Sequence, residues 1–165
     1  MNRYASIREC PEYVGIETAR GWEQMEKTRD CYGLRDTTVI IGEDGKSVSL
    51  TAWEPVLRLR ICWRQEISEP VKVLGDHWER GYGDLEWRGV VPERVLPWYV
   101  LVSDAADVHC WGVKTGGNAF CSFRFEAKRL TLEIDVRCGG EGVMLNGKSL
   151  LAAEIVEFFS SERPY

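Results

Sequence analysis

Two β-rich runs, at residues 37–41 and 47–51, flank Glu43, Asp44, Gly45 and Lys46, and an Asp-Gly step between such runs predicts a hairpin. Over 56–64, Leu57, Leu59, Ile61 and Trp63 alternate with Arg58, Arg60, Cys62 and Arg64, so the strand predicted there has one apolar and one basic face. The same period of two runs through 130–136. Further strands are expected at 98–102, 108–114 and 119–125, bounded by Ser103 and Asp104 and by Thr115, Gly116, Gly117 and Asn118. Asn146 and Gly147 mark a tight turn between 143–145 and 148–156. About nine or ten short strands without regular helical crossovers predict an all-β fold, an antiparallel two-sheet β-sandwich with little helix. Only 16–30 carry a helix-like spacing, at Ile16, Ala19, Trp22 and Met25, with a loop as the alternative. Residues 1–36 therefore read as an irregular or partly helical N-terminal segment, 37–156 as the sandwich and 157–165 as a tail. Trp53, Trp63, Trp98 and Trp111 fall in or beside strands and are expected to pack in the core or between the sheets.

Composition narrows the class of protein more than it identifies one. At 165 residues the chain fits one domain, able to bury roughly 70% of its unfolded surface. A net charge of −5, from 21 basic and 26 acidic residues mixed along the sequence, leaves no basic stripe for phosphates, so nucleic acid is excluded as a partner. No apolar run reaches the ~18 residues that cross a bilayer and the first residues are polar, so no membrane contact and a cytoplasmic location are expected. Six cysteines without a Cys-x-x-Cys pair argue against zinc and against a disulfide framework, and predict reduced, mostly buried thiols. His77 and His109 have no partner constellation for a metal site or a nucleophilic triad, and no cofactor is expected.

Chemistry concentrates in residues 74–88, where acids, arginines, aromatics and three glycines fall within fifteen positions. Aromatic faces stack on the C–H face of a pyranose, carboxylates and guanidinium groups take its hydroxyls, and glycine lets the backbone turn tightly around them. The candidate sugar-binding residues are Asp76, Trp78, Glu79, Arg80, Tyr82 and Asp84; the competing reading is a loop whose aromatics plug the end of the sandwich. Asp84 and Glu86 invite a glycosidase reading, which needs two carboxyl groups about 5 to 5.5 Å apart for a retaining mechanism. Solvation, or pairing with Arg80 and Arg88, explains them better, so no catalytic residue is assigned. The glycine-rich stretch 138–142 follows no strand-to-helix pattern and reads as a sheet-end turn rather than a phosphate loop.

Four stretches, 74–87 (LGDHWERGYGDLEW), 91–99 (VPERVLPWY), 112–116 (GVKTG) and 135–140 (DVRCGG), give residues 71–156 a resemblance to the N-terminal sandwich domain of glycoside hydrolase family 36 and its α-galactosidase-like relatives. The resemblance implies a supersandwich of the galactose mutarotase-like type that precedes a (β/α)8 barrel, whose two aspartates perform retaining hydrolysis of terminal α-galactosides. That barrel is not in this chain. By the same resemblance Asp76, Trp78, Glu79, Arg80, Tyr82 and Asp84 would complete the sugar subsite at the barrel mouth. The expected partners are an α-galactoside or related sugar and a (β/α)8 barrel in cis or trans, with homo-oligomerisation as a further expectation from apolar surface left where a barrel would dock. Two rivals stand beside this reading: a free-standing carbohydrate-binding module and a structural or oligomerisation domain.

Overall fold

The computed structural model describes residues 3–68, 70–76, 85–104 and 106–161. Among them the chain forms two packed antiparallel sheets and no helix, and so no helix long and apolar enough to cross a membrane. Numbered in chain order, the six-stranded sheet runs β2 (Gly21–Gln24), β1 (Tyr13–Thr18), β7 (Arg58–Arg64), β13 (Arg129–Asp135), β12 (Phe120–Glu126), β9 (Leu96–Pro97). The eight-stranded sheet runs β3 (Glu26–Lys27), β4 (Tyr32–Leu34), β5 (Thr37–Ile41), β6 (Ser47–Thr51), β14 (Ser149–Ser160), β11 (Val108–Val113), β10 (Tyr99–Ser103), β8 (Lys72–Gly75). β14 spans both halves of the larger sheet, pairing with β6 through Glu154 and with β11 from Ile155 onward, across a bulge between Leu151 and Ala153.

Alternation dictates the core. Leu59, Ile61 and Trp63 of β7 point inward beside Leu130, Leu132 and Ile134 of β13, and meet Val39, Leu50, Val100, Trp111 and Ile155 from the other sheet, all buried. The Trp111 and Phe125 rings stack across the interface at 6.5 Å. Both large indoles need a hydrogen-bond partner once buried. The N-terminal segment supplies it, since Trp111 Nε1 donates to the Ala5 carbonyl and Trp63 Nε1 to that of Glu9.

Four expectations change. The segment read as irregular or partly helical contributes β1 through β4, because Val14, Ile16 and Thr18 are buried at period two and Gly21, at φ +93°, turns the chain into a hairpin. The sandwich therefore begins well before residue 37. Its last strand continues through Ser160, into what reads as a tail. Trp53, expected to pack, is 63% exposed and lies over Gly147. The cysteines, all free, are not mostly buried: Cys62 and Cys121 are, while Cys10 and Cys138 are exposed.

Candidate functional site

Register brings the ends of distant strands to one end of the sandwich. Asp135 at the end of β13 lies opposite both Arg58 at the start of β7 and Phe120 at the start of β12. Ser122, two residues on, pairs with Pro97 of β9. Trp98 follows and carries the chain from one sheet to the other: its N–H donates to the Cys121 carbonyl of β12, and its carbonyl accepts from Val113 N–H of β11. Its φ of +68° lies in the left-handed region, which costs a residue with a Cβ about 1–2 kcal/mol; those two inter-strand bonds hold it there. β8 ends at this same end, since Gly75 pairs with Val100 and packs against Leu96.

At this end a cleft of about 440 Å3 is lined by Asn118, Phe120, Asp135 and Arg137, with Gly117 and Gly140 on the turns above them. Trp98 meets Phe120 edge to face, centroids 4.9 Å apart. Arg137 grips Asp135 in a fork, Nε to Oδ1 at 2.9 Å and Nη2 to Oδ2 at 2.6 Å, while its backbone N–H donates to the same carboxylate. Burial pushes the Asp135 carboxyl up, but the Arg137 hydrogen bonds and charge outweigh it and leave the group below its ordinary value. Asp135 is thus held ionised, an acceptor for hydroxyl groups and not a proton donor. The Asn118 amide donates to the Leu151 carbonyl, which fixes its turn against β14.

The outer face of the six-stranded sheet continues from this cleft. Arg58 pairs with Glu17 on one neighbouring strand and with Glu133 on the other, Arg60 donates to Glu133 at 2.9 Å, and the Arg60 guanidinium lies 4.0 Å over the Trp22 ring. Of the basic face expected of β7, Arg58 and Arg60 are therefore paired with acids of the neighbouring strands, while Arg64 is exposed and 4.0 Å from Glu66.

Of the residues expected to bind sugar, Trp78, Glu79, Arg80, Tyr82 and Asp84 lie outside the described residues, as does His77. Asp76 is described and is buried, 8% exposed, where the chain leaves β8. Val73 and Arg88 exchange backbone hydrogen bonds of 2.7 and 2.9 Å, so the segment departs from and returns to the edge of the eight-stranded sheet. Arg94 Nη2 donates to the Gly75 carbonyl at this root. Glu86 pairs with Arg88 at 3.4 Å, the arrangement expected of a solvated loop acid. His109 packs against Tyr4, ring centroids 3.7 Å apart, and burial lowers its pKa. Cys138 and Glu141 close the expected sheet-end turn. Among the described residues no cluster of histidine, cysteine and acidic side chains is arranged to hold a metal.

Phe120, Asp135 and Arg137 were not candidates by sequence, although three of the four resemblance stretches meet here: 91–99 supplies Trp98, 112–116 leads into the Asn118 turn, and 135–140 forms the opposite wall. No family model, no curated protein and no solved structure matches the chain.

Proposed function

We propose that this chain is a carbohydrate-recognition β-sandwich that acts as the accessory, substrate-completing domain of an α-galactosidase-like glycoside hydrolase, with hydrolysis performed by a barrel outside the chain. The observation that carries the reading is the meeting of the Phe120 ring, backed by Trp98, with a carboxylate–guanidinium fork and an amide at one cleft. A phenyl face suits the C–H face of a hexose, and Asp135 with Arg137 offers paired acceptors and donors to adjacent hydroxyls. β8 ends at this same end with Asp76 next in the chain, and the resemblance assigns Trp78 and Tyr82, which follow in the sequence, to the same sugar. The resemblance to family 36 supplies the substrate class, and six free thiols support a reducing, cytoplasmic setting.

Magnitudes set the expected affinity. One aromatic face covering ~150 Å2 at about 25 cal/mol per Å2 gains roughly 4 kcal/mol before entropy is charged, and a millimolar Kd corresponds to about 4 kcal/mol. Galactose and raffinose titrated against tryptophan fluorescence should therefore saturate in the millimolar range, and Phe120→Ala should abolish the response. A response untouched by Phe120→Ala and by Asp135→Asn would overturn the assignment of this cleft. Micromolar saturation by the chain alone would favour a free-standing binding module.

A further inference from the structure

A second cleft, of about 600 Å3, opens between the N-terminal segment and the β3–β4 and β5–β6 hairpins, and shares no lining residue with the first. It sits toward the other end of the molecule. Glu9 takes the Trp63 indole and Glu12 pairs with Arg129, whereas Asp135 of the first cleft closes the opposite end of β13, six residues or roughly 20 Å away along the strand.

Two thiols and a phenol, Cys10, Cys31 and Tyr32, line this cleft together with three cations, Arg8, Lys27 and Arg29. Lys27 and Tyr32 are cross-strand partners in the β3–β4 pair, which turns both side chains toward the same side. Between them stands Cys10, whose Sγ receives the Lys27 ammonium at 3.0 Å and lies 3.5 Å from the Tyr32 hydroxyl. The Cys31 Sγ is 2.9 Å from Thr28 Oγ1. The contrast with the core thiols is physical: desolvation pushes Cys62 up and Cys121 to about 12, so both stay protonated. At Cys10 the hydrogen bonds from Lys27 and Tyr32 draw the thiol below its ordinary value against a small opposing effect of burial.

We propose that Cys10, with the Lys27 ammonium on its sulfur and the Tyr32 hydroxyl beside it, is a reactive nucleophile and that this cleft is a covalent modification site for small electrophiles of the hydroperoxide class. The thiolate attacks the terminal peroxide oxygen; an S–O bond forms, the O–O bond breaks, sulfur loses two electrons and the peroxide is reduced. The leaving hydroxide or alkoxide takes a proton from the Lys27 ammonium and departs as water or alcohol, leaving Cys10 as a sulfenic acid.

Cys138 is the other exposed thiol and serves as a reference within the same molecule. The full chain is treated with hydrogen peroxide, and the thiols remaining at Cys10 and Cys138 are alkylated rapidly and quantified by peptide mass mapping. The thiolate is the form that reacts, and an ammonium on the sulfur favours it. Cys10, which carries the Lys27 ammonium at 3.0 Å, should therefore be consumed severalfold faster than Cys138. The preference should fall severalfold in Lys27→Met and persist in Lys27→Arg, which keeps the cation. Equal rates at the two cysteines, or a preference that survives Lys27→Met, would overturn the proposal.

Discussion

Single positions in this fold carry conformations that only certain residues accept. Gly147 sits at φ +77° beneath the Trp53 indole, next to Asn146 at φ +52°. A methyl group there meets both backbone strain and the ring. Gly147→Ala should lower the unfolding free energy by more than about 1 kcal/mol in urea melts, whereas Gly89→Ala, with open space around it and no left-handed backbone, should stay within about 0.5 kcal/mol. The Asn-Gly step announced this turn in the sequence, because few other dipeptides take two left-handed residues in succession. Trp98 announced nothing. A tryptophan before β10 reads as a core residue, and its left-handed backbone arises from hydrogen bonds to Cys121 and Val113, each remote in sequence.

At the scale of elements, strands with a strong apolar/polar period were legible and the first four were not. β5 and β6 fall where their residues predict, with the Glu43–Lys46 turn between them. In β1 the burial of Val14, Ile16 and Thr18 competes with a spacing of three through Ile16, Ala19, Trp22 and Met25; the signal that decides is Gly21. Leu132, fully buried at the centre of β13, should cost about 2–5 kcal/mol when truncated to alanine, measured by urea unfolding. The charge ladder across β1, β7 and β13 makes a pH prediction. Hydrogen bonding to Arg58 holds Glu17 below its ordinary range, so the folded state binds fewer protons than the unfolded chain as acid is added. That stability is fully present above about pH 4.3, the ordinary glutamate value, and is lost as the pH falls through the lower folded value. Urea midpoints should be flat near neutrality and drop below about pH 4.3, and Arg58→Met should flatten the drop.

At the scale of the whole molecule, the two-sheet architecture was readable because alternation and turn chemistry are local, while the meeting of strand ends was not, because it depends on register between strands far apart in the chain. Asp135 reaches Phe120 through one such pairing and Trp98 reaches Cys121 through another. The turns at 115–118 and 138–142 were recognisable as sheet ends, yet nothing in either one says that they face the same cleft. Assembly also separates two chemistries: the aromatic and ionic cleft at the Asp135 end, and the Cys10 cleft beyond the other ends of β7 and β13. Oxidation at Cys10 should consequently leave sugar binding unchanged, which fluorescence titration before and after peroxide treatment checks. The central claim is that the Asp135 end of the sandwich holds a sugar. Backbone amide NMR of the 15N-labelled chain during a raffinose titration tests it most directly: the account predicts millimolar, saturable shifts concentrated at Trp98, Asn118, Phe120 and Arg137, and shifts that are absent, or gathered on any other face, would contradict it.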